Sequence, residues 1–335
     1  MKPSLARRAG FTLPVVLAIV TILTLYYAIA LHSLVTLQDE TRRALNRSEF
    51  ERQAMTAESR MSYLILTQPF GAAMLNIGSA RNTSNAAGQL TQPVVDATAT
   101  INLDNRPYRF METADADKPF LAQVQDEAGL FNLYGATTDQ LTRLFQFAGL
   151  GDQDASNLAT ELQTYNTDPT QHQPLRRPAE IFSRLDDMAS LVSPKAWAKL
   201  AEKITAYPDN QAFNVNTAPA EVLSILFNVD DNTAKSVVQN REGTVIANPS
   251  DVGLTPPNPA RAYTFSGGRL RFTFTDPKTG LTYRSSLILT PADTERPLWV
   301  ENPRTTIVPP PPKGSSDELD PNDLDPFPYV PNLSS

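Results

Sequence analysis

Arg7-Arg8-Ala9-Gly10-Phe11-Thr12-Leu13-Pro14-Val15 runs straight into an apolar segment that ends near Leu37. Lys2, Arg7 and Arg8 make a short basic leader, and the 27 residues from Phe11 to Leu37 contain no Asp, Glu, Lys or Arg. About 20 apolar residues suffice for a helix to cross a bilayer. Positive charge ahead of such a helix stays cytoplasmic, which sends the remainder of the chain outward. An ordinary secretory signal has its cleavage site after the apolar core, at small residues. Here the Gly-Phe step lies before that core, and the apolar stretch passes into an amphipathic one with no cleavage site or turn between them.

Beyond Leu37 the apolar residues Leu45, Phe50, Met55, Met61, Tyr63, Leu64 and Leu66 are interspersed with Glu40, Arg42, Arg43, Arg47, Glu49, Glu51, Arg52, Glu58 and Arg60. No Gly interrupts from Phe11 to Thr67, and Pro14 is the only Pro. The spacing predicts one long helix from about Val15 to Leu66, kinked or loosely wound near Pro14. Its first half suits lipid and its second half suits packing on a sheet.

From Gly71 to Thr91 the residues are small and polar and read as loop. Strands are predicted at Val94 to Leu103, Tyr108 to Met111 and Phe120 to Gln125. Asp126-Glu127-Ala128-Gly129 is turn-like and leads into Leu130-Phe131-Asn132-Leu133. The pattern then becomes helical, at Thr138 to Ala148, Asp152 to Tyr165, Pro178 to Leu185, Pro194 to Ile204, Pro219 to Leu226 and Asn232 to Arg241, with polar caps and first-turn prolines marking the starts. Within this block Phe131-Asn132-Leu133 with Ala136, Leu141, Leu144 and Phe145 recurs 82 residues later as Phe213-Asn214-Val215 with Ala218, Leu223, Leu226 and Phe227. Each copy leads into a second helix, so two helix-turn-helix units of one kind are expected. A Pro- and Asn-rich loop follows Gly243. Arg269 to Thr275 alternates cleanly, Asp276-Pro277-Lys278-Thr279-Gly280 is a hairpin turn, and Leu281 to Leu289 returns. Tyr263 to Phe265 is a candidate further strand. The Pro-rich acidic tail is expected to form no packed structure.

Across 335 residues, 29 Lys and Arg face 36 Asp and Glu, a net charge of −7, which argues against broad attraction to nucleic acid or anionic lipid. With no cysteine, disulfides, thiol chemistry and Cys-based metal sites are excluded. His32 lies in the membrane segment and His172 in a polar loop, neither with a His or Cys partner nearby. No nucleophile–base pair or metal cluster is evident, so no enzymatic activity is expected.

Phe213-Asn214-Val215-Asn216-Thr217-Ala218-Pro219 is the most distinctive soluble stretch. Asn214 and Asn216 flank a Val215 expected to be buried, and Thr217 is expected to cap a helix that opens near Pro219, with Glu221 in its first turn. Helix-hairpin-helix DNA-binding domains share the Asn-x-Asn-Thr-Ala pattern, but their hairpin carries Gly-x-Gly, whose N–H groups bind phosphate. Here the hairpin is Phe227-Asn228-Val229-Asp230-Asp231-Asn232. Gly149-Leu150-Gly151 of the first unit is followed at once by Asp152 and Asp154. The Lys and Arg that DNA demands are missing, so no nucleic acid is expected as a partner.

Gly10-Phe11-Thr12-Leu13 resembles the leader of the type IV pilin and type II secretion pseudopilin superfamily. That resemblance implies cleavage by a prepilin peptidase between Gly10 and Phe11, and retention of the apolar helix with a methylated N-terminus. Val15 stands where most members carry Glu, a departure characteristic of the minor pseudopilin K of type II secretion. The resemblance to that family runs over about residues 7 to 292. It is carried by the leader, by Asp126-Glu127-Ala128-Gly129-Leu130-Phe131-Asn132-Leu133 and by Asn214-Val215-Asn216-Thr217-Ala218. It implies an α+β, pilin-like fold, with the long N-terminal helix packed on an antiparallel sheet, interrupted by a large all-helical domain containing two helix-hairpin-helix-like units. The expected boundaries are leader 1–10, transmembrane half 11–37, first part of the core 38–130, helical insert 131–243, C-terminal strands 244–301 and disordered tail 302–335.

The resemblance further implies a subunit at the tip of the pseudopilus, anchored once in the inner membrane with its C-terminal domain in the periplasm. The implied partners are the I- and J-type minor pseudopilins, the major pseudopilin, the prepilin peptidase and the inner-membrane assembly platform. Calcium is associated with members of the family, but their acidic motif is reduced here to Tyr165-Asn166-Thr167-Asp168. Asp126, Glu127 and Asp168 remain the only candidate ligands, and solvated loop is the reading the residues favour. A type IV pilus minor pilin and a membrane-anchored helix-hairpin-helix DNA-binding protein are the alternatives.

Overall fold

The computed structural model describes residues 12–68, 71–76, 100–111, 119–167, 174–175, 177–185, 188–207, 212–242, 244–257, 263–264, 266–290, 295, 297–307 and 323–327. It falls into two units, Met1–Gln53 and Ala54–Ser335.

The first unit is the greater part of α1, a helix of 56 residues spanning Thr12–Thr67. Pro14 lies in the first turn of the described helix, where the missing N–H costs least. Residues 14–49 are all exposed. Hydroxyls in the apolar stretch bond their own helix: Thr21 donates to Leu17 O, Thr24 to Thr21 O, Ser33 to Ile29 O and Thr36 to His32 O. Satisfied this way, they can sit in a hydrocarbon environment at modest cost. Further along, Arg47–Glu51 and Arg52–Glu49 are surface pairs at 3.0 and 2.8 Å, each adding a few tenths of a kcal/mol.

In the second unit, residues 54–67 of α1 bury Ala54, Ala57, Met61, Leu64 and Ile65. A two-stranded sheet follows, β1 (Met74–Asn76) antiparallel to β2 (Thr100–Asn102). β1 falls within the stretch read as loop, and the start of the strand expected from Val94 lies outside the described residues. Next come β3 (Tyr108–Phe110), β4 (Phe120–Asp126), a 3-10 turn at Glu127–Gly129 and the two-residue β5 (Phe131–Asn132).

The helical layer comprises α2 (Thr138–Phe147), α3 (Asp152–Thr167), α4 (Ile181–Arg184), α5 (Met188–Leu191), α6 (Pro194–Ala201), α7 (Ala220–Phe227) and α8 (Asp231–Asn240). β6 (Ile204–Thr205) pairs in parallel with β5. A capping box starts α2, with Thr137 and Gln140 exchanging side-chain-to-backbone bonds. The chain closes the main sheet with β7 (Arg269–Thr275), β8 (Leu281–Leu289) and β9 (Leu298–Ile307).

That sheet is antiparallel throughout, in the order β3-β4-β7-β8-β9. Cross-strand partners share a face, so Phe272 and Phe274 lie with Ser285 and Tyr283. Glu58 of α1 accepts hydrogen bonds from the Tyr283 and Ser285 hydroxyls, which puts residues 54–67 of α1 on this face. Leu270, Phe272 and Phe274 are fully buried there, each contributing about 1.5–3 kcal/mol of transfer free energy. The other face turns Arg269 and Arg271 towards the helical layer, where Arg271 Nη2 donates to Ile204 O at 3.0 Å.

Two expectations are corrected. The helical core runs on past residue 243 through Ile246 and Leu254 to Tyr263, because the Pro/Asn loop folds back onto it. Of the candidate strand Tyr263 to Phe265, Thr264 bridges Asn214, and Phe265 lies outside the described residues. The tail is not structureless from 302: β9 continues to Ile307, and residues 323–327 return to the sheet's far edge. There Arg109 N donates to Asp325 O at 2.9 Å and Phe327 N donates to Arg109 O at 2.7 Å. A Pro-rich composition speaks against a core of the tail's own; it does not prevent the tail from completing another strand's hydrogen bonds.

Candidate functional site

The acidic-Gly-Phe-Asn-Leu stretch and the Asn-Val-Asn-Thr-Ala stretch, nearly ninety residues apart, form one buried lock. β4 ends on Gln125 and Asp126, both buried. Asp126 Oδ1 accepts from Ala128 N at 3.0 Å and from Gly267 N at 3.1 Å. Its Oδ2 accepts from Asn214 Nδ2 at 2.9 Å and, at 3.4 Å, from the Thr217 hydroxyl. Gln125 Nε2 donates to Thr217 O at 3.1 Å, and Asn214 N donates to Ala128 O at 2.9 Å. Asn216 pins the loop beyond α8 by a two-way exchange with Ile246, its Oδ1 accepting at 2.8 Å and its Nδ2 donating at 3.0 Å. Arg241 closes the lock from behind, donating to Val215 O and Ala218 O while its Nη2 lies 3.7 Å from Asp104.

Thr217 does not cap α7. Pro219 is the residue at the cap, with φ −60° and ψ 152° and no side-chain bond. Thr217 therefore stands two residues too early, and its hydroxyl turns to Asp126 and Asn214 O instead. Val215 is fully buried between its flanking asparagines, as expected. The internal echo is a structural one as well. Asn132 Oδ1 accepts from Tyr134 N and Asn214 Oδ1 from Asn216 N, the same local turn in both copies. The units meet where Gln140 donates to Leu226 O and Arg143 to Ile225 O.

The adjacent carboxylates Asp126 and Glu127 titrate in opposite directions. Burial pushes Asp126 up to about 6, against the pull of its hydrogen bonds from Asn214, Ala128, Gly267 and Ser266. Burial acts on Glu127 too, but Arg271 and Arg269, helped by the Thr205 and Ser286 hydroxyls, more than offset it and hold the carboxyl below its usual range. Glu127 lies 3.0 Å from Arg269 Nε, without the alignment of a hydrogen bond, and 3.4 Å from Arg271 Nε. These oxygens are engaged by N–H, O–H and guanidinium donors, so the pair does not fit a cation. Asp168 lies outside the described residues. Among the described residues no group of three or more His, Asp or Glu side chains is arranged to hold a metal.

The α7–α8 hairpin turns through Asn228, which takes the left-handed conformation at φ 55°. At the start of α8, where a helix-hairpin-helix domain would receive phosphate, Asp230 Oδ1 accepts from Asn232 N at 2.9 Å and Thr233 N at 3.0 Å. The chain's own carboxylate satisfies the amides a phosphate would need. The α2–α3 hairpin does have Gly149 at φ 94°, but Asp152 and Asp154 fill the first turn of α3.

Gly10 and Phe11 lie outside the described residues. Val15 is on α1 and exposed. Among the described residues one helix, from Pro14, is long and apolar enough to cross a membrane, and no part of its apolar window is buried. The sequence reading did not single out Gln125, Arg241, Arg269 or Arg271. Their partners lie tens of residues away, and nothing local marks them.

Residues 213–262 match the family model for protein K of the type II secretion system (T2SS). The matched segment opens on Phe213-Asn214 and so takes in one of the three stretches that carry the sequence resemblance, Asn214 to Ala218. No curated protein matches the chain. A chain in the crystal structure of the GspK-GspI-GspJ complex from the enterotoxigenic Escherichia coli type 2 secretion system is similar, with 16% identity and a TM-score of 0.41. The alignment covers 79% of this chain and 99% of that one.

Proposed function

We propose that this chain is a minor pseudopilin of type II secretion, of the K kind, acting at the tip of the pseudopilus. The observation that carries this reading is the match of residues 213–262 to the protein K family, on a segment whose Asn214, Asn216 and Thr217 are buried working parts of the fold. The apolar helix beginning at Pro14 supports a single inner-membrane anchor with the domain beyond it in the periplasm. The absence of a carboxylate at Val15 supports the tip position, because an intramembrane Glu needs a partner charge from a neighbouring subunit. On this reading the work of the protein is packing rather than catalysis. The I- and J-type minor pseudopilins are its direct partners, and together they start pseudopilus assembly and so promote export across the outer membrane.

Deleting the gene tests the reading. Loss of exoprotein secretion with twitching motility intact is the expected result. The reverse pattern would assign the chain to a type IV pilus. Imaging that finds copies at regular intervals along the shaft would overturn the tip position.

A further inference from the structure

Among the described residues, the sheet face opposite residues 54–67 of α1 carries more guanidinium than carboxylate. Arg269 and Arg271 on β7, Arg284 on β8, Arg304 on β9 and Arg177 just before α4 gather where this face meets the helical layer. Three carboxylates serve them. Glu127 lies between Arg269 and Arg271, Glu301 is 2.8 Å from Arg269 Nη2, and Glu202 is 3.7 Å from Arg284 Nη2. Arg304 and Arg177 are exposed and form no ion pair among the described residues. Arg284 and Arg304 are directly opposed cross-strand partners, an arrangement that destabilises a sheet when the charges are alike. Arg284 Nε is buried without a hydrogen-bond partner. Burial first, then Arg271 and, despite relief from Glu202, Arg304 push the Arg284 guanidinium down to about 10. Arg304 is lowered by burial, Arg271 and Arg177.

We propose that Arg177, Arg284 and Arg304 form a docking site for a short acidic segment of a partner protein, which neutralises the Arg284–Arg304 pair. Carboxylate is the group that already neutralises the rest of the array, through Glu127, Glu202 and Glu301. Carboxylates also meet guanidinium in the planar, two-pronged geometry that favours arginine over lysine. Neighbouring strands lie about 4.8 Å apart, so Arg284 and Arg304, opposed on β8 and β9, are within reach of alternate side chains of an extended acidic segment. A long polyanion is disfavoured, because the chain as a whole carries a net charge of −7. The site is reached over β9, the sheet's edge. Pro303 and the bulge between Arg284 and Ser286 blunt that edge against addition of another strand, so side-chain charge rather than a backbone ladder holds the partner.

The test uses the full-length chain in a neutral detergent and a fluorescein-labelled peptide of alternating Glu and Ser, read by fluorescence anisotropy. Saturable binding at low salt is expected, weakening as salt rises and absent for the same peptide with Lys in place of Glu. Arg304→Gln, an exposed position, is expected to weaken binding about tenfold with an unchanged Tm, and the double variant Arg284→Gln/Arg304→Gln to abolish it. Arg43→Gln on α1 is expected to have no effect. Failure to bind, or equal binding by Arg304→Gln, overturns the proposal. So does displacement by inorganic phosphate or by phosphatidylglycerol vesicles as effective as that by unlabelled peptide, which would mark a small-anion or lipid site instead.

Discussion

A β-carbon on Gly129 would lie 2.5 Å from the Thr217 hydroxyl and 2.7 Å from its carbonyl carbon. Thr217 cannot retreat, since Gln125 holds its carbonyl and its amide is bonded to Asn214 O. Gly129→Ala is therefore expected to destabilise the fold by about 1–3 kcal/mol, as overpacking does, measurable by urea unfolding. Adding Thr217→Ala does not rescue it, because the backbone contact remains; a full rescue would show that the hydroxyl alone makes the clash. Asp126, beside it, gives a pH signature. Its folded pKa of about 6 lies above the ordinary 3.8, so the folded state binds more protons between the two values. Its contribution to stability is full below pH 3.8 and is lost as pH rises through 6. Glu127 runs the other way, contributing above its ordinary 4.5 and losing that contribution as pH falls through its lowered folded value. In Asp126→Asn the first of these terms is gone. The stability gap between variant and wild type is expected to shrink by about 2 kcal/mol from pH 4 to pH 7, and a gap constant with pH would refute the assignment.

At the scale of elements, the two edges of the main sheet are treated differently. β9 is blunted by Pro303 and a bulge, whereas β3 is covered by residues 323–327 of the same chain. Phe327 anchors the cover, its ring 5.2 Å from Phe110 and 6.1 Å from Tyr108. Phe327→Ala is expected to cost about 1–2 kcal/mol. Hydrogen exchange at the Arg109 amide, which donates to Asp325 O, is expected to quicken in the same variant; unchanged exchange would mean the cover holds without its anchor. The elements legible in the sequence are those whose signal is local. The alternation of Arg269 to Thr275 gave β7 its bounds, and polar caps and helical spacing placed the start of α2 at Thr138. β1 and the β5–β6 pair were not legible as strands, nor the tail's bridge to Arg109, because each exists only through hydrogen bonds to a distant partner. The lock was half legible: both stretches stood out by residue type, but nothing local announced that Asp126 would meet Asn214 or that Thr217 would serve Asp126 rather than α7.

The whole molecule joins a long exposed apolar helix to a folded sheet-and-helix unit. Residues 14–49 of α1 are exposed, and their apolar part has hydroxyls tied to its own carbonyls, so on the pseudopilin reading lipid is its solvent. The second unit carries its own buried sheet and helical core. On the pseudopilin reading, cleavage falls between Gly10 and Phe11 and depends on the small residue before the cut. Protein purified from membranes is expected to begin at Phe11 by intact mass and N-terminal sequencing. Gly10→Leu is expected to remain uncut, beginning at Met1, and to lose secretion while its domain stays folded. A Gly10→Leu chain that still begins at Phe11, or a wild-type chain that keeps its basic leader, would remove the leader assignment and leave a plain signal anchor.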